Sequence, residues 1–127
     1  MAGFYYGKRL MRLTNAETGM RAEQSACTAL ASDGWRILGR RVRTKVGEID
    51  AVAEKDGILA FVEVKARPNL AMAAAALGPR QQGRLVAAAE LLLAENPHWG
   101  QAGIRFDVLL VDPQSRVRRI KDAIRLN

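Results

Sequence analysis

Apolar positions along the chain recur first at helical and then at strand spacing. Between residues 16 and 33, Gly19, Ala26, Cys27 and Leu30, with Ala22 and Ala29 beside them, fall on one stripe and predict an amphipathic helix. Thr14 and Glu17 stand at capping-box spacing ahead of it, and Gly34 follows as a stop. Residues 35–43, 47–54 and 58–66 then read as strands, with Asp56-Gly57 a hairpin signal between the last two. Residues 69–77 predict a short Ala-rich helix. Gly78-Pro79 ends it and opens a longer one to residue 96, with Pro79 at its first position and Pro97 as its stop. Leu85, Val86, Ala89, Leu92 and Leu93 form the stripe of that helix, and Gln82 continues it backward by one turn. Residues 104–111 make a strongly apolar strand, Asp112-Pro113 a turn, and 117–124 a last strand.

The resulting order, α-β-β-β-α-α-β-β, predicts one α/β domain over residues 16–127, with a mixed central β-sheet flanked by helices. There is no repeat and no linker to divide it. Residues 1–15, carrying Phe4, Tyr5, Tyr6, Lys8, Arg9 and Arg12, are expected to form a flexible arm, basic and aromatic.

The hairpin signal also predicts a register. A turn centred between Asp56 and Gly57 sets Asp50 opposite Glu63 and Glu48 opposite Lys65, and the period of two places all four on one face. The other face, with Ile49, Ala51, Ala53, Ala60, Val62 and Val64, is apolar and is expected to be core. Two carboxylates directly opposite each other repel unless a cation or a proton intervenes. One reading is a solvent-facing hairpin laced with ordinary salt bridges. The other is an oxygen-ligand site for a hard divalent cation, Mg²⁺ or Mn²⁺. Three features favour the cation: Glu63 is set between Val62 and Val64, Glu23 falls on the inward stripe of the first helix, and an otherwise basic chain concentrates acid here. An inward carboxylate such as Glu23 needs a partner, because burying an unpaired charge is expensive.

Composition narrows the chemistry. The 127 residues hold 20 Lys plus Arg against 13 Asp plus Glu, a net charge of +7. Such a balance favours an anionic partner, nucleic acid first and an acidic membrane surface second, although solubility alone also accounts for it. The one cysteine, Cys27, excludes an intrachain disulfide framework and paired-cysteine zinc sites. The one histidine, His98, has no serine or second cysteine placed to make a triad. No Gly-rich phosphate loop is present, and the longest apolar run, 70–77, falls far short of the roughly 20 residues of a membrane span. With no apolar signal segment near Met1, no membrane association is expected and the expected compartment is the cytoplasm.

Glu63-Val64-Lys65, with Asp50 on the preceding strand, resembles the PD-(D/E)XK nuclease superfamily of restriction endonuclease-like folds. The nearer likeness is to the YraN-like family of bacterial proteins, predicted endonucleases, and a more distant one is to archaeal Holliday junction resolvases. Matching stretches are residues 19–23, Gly47-Glu48-Ile49-Asp50, residues 61–65, Gln82 with Arg84-Leu85, and residues 105–108. The resemblance implies that Asp50, Glu63 and the backbone carbonyl of Val64 ligate a Mg²⁺ or Mn²⁺ ion, with Glu23 completing the acidic cluster. It also implies that Lys65 orients or deprotonates the attacking water and that Gln82 sits at the edge of the cluster. Departures are Ala22, where the family usually has Gly, Gln81, where it often has Lys, and the Ala-rich stretch after Pro68.

The expected function is therefore divalent-metal-dependent hydrolysis of DNA, with branched or structured DNA among the candidate substrates. The alternatives are a non-catalytic nucleic-acid-binding protein of the same fold and a basic accessory protein bound to an acidic partner or ribosomal RNA. Arg40, Arg41, Arg43, Lys45, Arg67, Arg80, Arg84, Arg116, Arg118 and Arg119 are available for phosphate contacts. A homodimer is expected by analogy with junction resolvases, which use two active sites.

Overall fold

The computed structural model describes residues 3–6, 9–12 and 14–124. Within the expected arm, the backbone of β1 (Gly3–Tyr6) pairs antiparallel with β2 (Arg9–Arg12), apart from the main sheet. Lys8, and residues 125–127 of the expected domain, lie outside the described residues. Helix α1 (Asn15–Ser32) starts at the predicted capping box: Thr14 Oγ1 accepts from Glu17 N–H at 3.1 Å, and Glu17 Oε1 accepts from Thr14 N–H at 2.9 Å. These bonds satisfy two of the donors that a helix start otherwise leaves unpaired.

Strands β3 (Arg36–Thr44), β4 (Gly47–Lys55) and β5 (Ile58–Ala66) follow, then helices α2 (Leu70–Ala76) and α3 (Pro79–Glu95), then β6 (Gly103–Val111) and β7 (Val117–Ile120). Among the described residues the main sheet has the spatial order β3-β4-β5-β6-β7. It is mixed, because β5 and β6 run parallel while their neighbours pair antiparallel. A parallel pair needs a crossover, and the segment from α2 through α3 supplies it. The element order from α1 onward is the one read from the sequence.

Each face of the sheet is covered by one long helix. Ala22, Ala26, Cys27 and Leu30 of α1 pack with Ala51, Ala53, Ala60 and Val62, so the small residues of the helix meet small residues of the hairpin. Leu85, Ala88, Ala89 and Leu92 of α3 pack on Ile49, Val52, Leu59 and Phe61 from the other side. Both faces of the hairpin are therefore core along most of its length; Glu54 and Asp56 lie at its turn, and Glu48, Asp50 and Glu63 toward its open end.

The β4–β5 register is the predicted one from Lys55↔Ile58 to Ala51↔Val62. Asp56 (φ 52°) and Gly57 (φ 79°) both have positive φ, as a two-residue primed turn requires. Beyond Ala51 the pattern changes. Ile49 packs with Val52 beneath α3 instead of with Ala51 beneath α1, so the expected unbroken apolar face is interrupted at Asp50. The facing residue of β3, Arg41, has φ 49°, and the β3–β4 pairing passes from Arg40↔Ala51 to Val42↔Ile49 across this point. A local kink of this kind re-aims side chains and ends a ladder, as bulges beside functional sites do.

Candidate functional site

The kink makes an acidic cluster between α1 and α3. The paired register stops one step short of Asp50 and Glu63, yet their side chains meet closely enough to share a hydrogen bond. Asp50 also accepts from Val64 N–H at 2.8 Å, which ties the end of β4 to β5 through a side chain. Glu63 is buried at 7% exposure. Burial of Asp50, and the Glu63 carboxyl beside it, push the Asp50 carboxyl from 3.8 up to about 8; the Val64 N–H and the Lys65 charge oppose that shift. At neutral pH the Asp50 carboxyl therefore keeps its proton beside Glu63.

Three further side chains define the edges of the cluster. Glu23 on α1 is inward as expected, 16% exposed, and its partner is Arg41, whose Nε donates to Glu23 Oε1 at 2.6 Å. The same guanidinium faces Glu48 and Asp50, and the Glu23 contact leads the causes that hold its pKa above the ordinary arginine value. From α3, Gln81 Nε2 donates to Glu63 Oε2 at 2.8 Å. Gln82 instead donates to the Leu77 carbonyl at 3.0 Å and closes the turn that opens α3. The helix start rotates Gln81, and not its neighbour, toward β5. The hydrophobic stripe pointed to Gln82 instead, though Gln81 already stood out as a departure from the family pattern.

Lys65 is half-buried and, among the described residues, has no ion pair or hydrogen bond. Its expected partner Glu48 is instead bonded to Arg43 Nε at 3.3 Å, directly across β3–β4. The reason is the kink: past Ala51↔Val62 the β4–β5 ladder has ended, while β3–β4 continues through Arg43↔Glu48. Lys65 is therefore left free to act on Asp50 by charge.

The basic residues surround this cluster unevenly. Arg40, Arg41, Arg43 and Lys45 run along β3 and its turn, and Arg80 and Arg84 sit exposed at the start of α3, where Arg84 lies over Gly47. Arg67 follows β5 and donates to the Ala66 carbonyl at 2.8 Å. Arg119 is not available for phosphate. With Arg105 it binds the buried Asp107 carboxylate, at 2.6 and 3.1 Å, and both guanidinium groups stack on Trp35. Asp107 Oδ1 takes the Asp122 N–H, so the buried carboxylate is fully bonded and joins β6, β7 and the start of β3.

Residues 22–111 match the model of "Uncharacterised protein family UPF0102". The chain belongs to the UPF0102 family. A UPF0102 protein of Granulibacter bethesdensis is 55% identical over 123 residues, covering 96% of this chain and 78% of that protein. One from Rhodopseudomonas palustris is 47% identical over 114 residues, with 90% and 88% covered. One from Bradyrhizobium is 46% identical over 112 residues, with 88% and 79% covered. The UPF0102 match takes in Glu23, Asp50, Glu63, Lys65 and Gln81, so the whole cluster lies within the family's region.

The donor set suits a hard cation only in a particular way. Among the described residues no three of His, Cys, Asp and Glu stand close enough to hold a metal ion by themselves. A Mg²⁺-type ion is commonly held by one or two carboxylates, with water and substrate oxygens completing its shell, and the Asp50–Glu63 pair fits that pattern. Glu23 is committed to Arg41.

Proposed function

We propose that the protein is a divalent-metal-dependent nuclease acting on DNA, with branched or otherwise structured DNA the favoured substrate. The observation that carries this reading is the partly buried Asp50 sharing a hydrogen bond with the buried Glu63, next to an unpaired, half-buried Lys65. Buried carboxyls of this kind are costly as pure structure, and strongly shifted groups concentrate where chemistry is done.

Asp50, Glu63 and the Val64 carbonyl would hold Mg²⁺ or Mn²⁺. The ion would supply Lewis-acid polarisation of the scissile phosphate and lower the pKa of water. The chain's own residues do the rest. Gln81 fixes the Glu63 carboxylate through its amide, so one oxygen stays aimed away from α3. Val64 N–H fixes Asp50 in the same manner. Lys65, with no competing partner, orients the attacking water and steadies charge building on the phosphate oxygens. Arg40, Arg43, Lys45, Arg80 and Arg84 hold the backbone on either side by charge. A homodimer would present two such sites to the arms of a junction.

A second reading, a nucleic-acid-binding protein without hydrolysis, is favoured by the Glu23–Arg41 pair, which occupies the third carboxylate. A cleavage panel of duplex, flap and four-way junction DNA with Mg²⁺ or Mn²⁺ separates them. Nicking of a branched member, lost in Glu63→Ala and Lys65→Ala with folding retained, is the expected result. Salt-dependent binding with no cutting of any member supports the second reading, and absence of DNA binding removes both. Calorimetry with Mn²⁺ gives a direct check of the ion: wild type binding no more than Asp50→Ala overturns the metal assignment.

A further inference from the structure

Lys65 and Ala66 are consecutive on β5 and point to opposite sides of the sheet. Lys65 flanks the acidic cluster, whereas Ala66 packs on the α1 side and forms part of a separate cleft. That cleft is open to solvent and has a cavity volume of about 100 Å³, with Ala22, Ala66 and Val111 as its apolar floor and Thr18, Arg21 and Arg67 around it. Helical spacing puts Thr18, Arg21 and Ala22 on one flank of α1 and Glu23 toward the other. The cleft lies at the carboxyl ends of β5 and β6, the parallel pair, where open α/β sheets characteristically bind ligands.

Its chemistry is selective. Arg21 is exposed and makes no hydrogen bond or ion pair among the described residues. Arg67 is half-buried and anchored, its N–H on Val111 O at 3.2 Å and one guanidinium nitrogen on Ala66 O at 2.8 Å. Asp112, the carboxylate of the wall, is taken up by Arg116 Nε at 2.8 Å and by two backbone N–H groups at 2.9 Å, so it does not cancel the two arginines. An inorganic anion would leave the carbon walls unused, and a fatty chain would leave the guanidinium groups unused. A flat, largely apolar ring carrying a phosphodiester uses both.

We propose that this cleft takes one unstacked nucleotide of a single-stranded segment, its base against Ala22, Ala66 and Val111 and its phosphate between Arg21 and Arg67. The proposal rests on the nucleic-acid reading above and adds the class of substrate, one with an unpaired strand. A base stacked inside a duplex cannot enter a cleft, so the site discriminates single from double strands.

The test is fluorescence anisotropy on the full chain in EDTA, with labelled oligothymidine and a labelled blunt duplex as probes. Arg21→Glu is expected to weaken oligothymidine binding about tenfold or more, the contribution of one charge-assisted hydrogen bond, and Thr18→Trp to weaken it by filling the cleft, while duplex binding changes by less than about threefold. Thymidine monophosphate is expected to displace the oligomer better than inorganic phosphate does. Equal weakening of both probes, unchanged oligothymidine binding in Arg21→Glu, or equal displacement by the two competitors each overturns the proposal. Arg21→Glu lies on an exposed helix flank and carries the test alone if Thr18→Trp does not fold. Metal-dependent cutting plays no part in the readout. A protein that never cuts but keeps the single-strand preference loses the nuclease reading only.

Discussion

Asp50 is the residue on which most of the chemistry turns, and its ionisation has a measurable sign. An unfolded chain releases this proton near 3.8, whereas the folded protein holds it to about 8. Between those values the native state binds the extra proton, so stability falls as pH rises through the window and levels off above it. Asp50→Asn should flatten this slope in denaturant titrations taken from pH 4 to pH 8. If the protein holds a metal as proposed, Mg²⁺ should raise the Tm of wild type more at the upper end of the window than at the lower, because the proposed ligands are the deprotonated pair. Asp107 is a buried carboxylate whose every oxygen is bonded. Asp107→Ala leaves Arg105 and Arg119 facing each other over Trp35 and should cost about 3 kcal/mol in urea unfolding.

Elements were the most legible scale, and their ends show why. The α1 start was readable because Thr14 and Glu17 act on backbone donors within three residues, with no tertiary help. Thr14→Ala should therefore cost about 1 kcal/mol, seen as a lowered midpoint with unchanged m. The β4–β5 turn was readable for a similar reason: Gly57 sits at φ 79°, and a Cβ there would come within 3.0 Å of Ala102 Cβ. Gly57→Ala should destabilise by roughly 1–2 kcal/mol in the same assay. The kink at Arg41 and Asp50 was not legible. Strict alternation predicts that Ile49 faces the same way as Ala51, and no glycine or proline at Asp50 announces the break. The last strand also ends at Ile120, short of residue 124: Asp122 takes φ 52°, and beyond it Ala123 N–H still bonds Phe106 O of β6.

At the scale of the molecule, a charge of +7 is a statement about association, and its distribution matters more than its size. Arginines flank the cluster from β3 and from α3, so the DNA binding proposed above should weaken steeply with salt, and Arg84→Ala should reduce the log–log slope by about one.

What the sequence determined by itself is whatever depends on neighbours a few residues apart: the helix and strand order, the capping box, the primed turn, and thereby the register that brings Asp50 toward Glu63. What only the tertiary structure decided is which side chains reach those carboxyls across elements. Gln81 rather than Gln82 meets Glu63, Arg41 rather than a metal ion meets Glu23, and Glu48 goes to Arg43 and leaves Lys65 free. Those choices follow from how α1 and α3 dock on a kinked hairpin, and docking angle is set by packing volumes that no local pattern encodes.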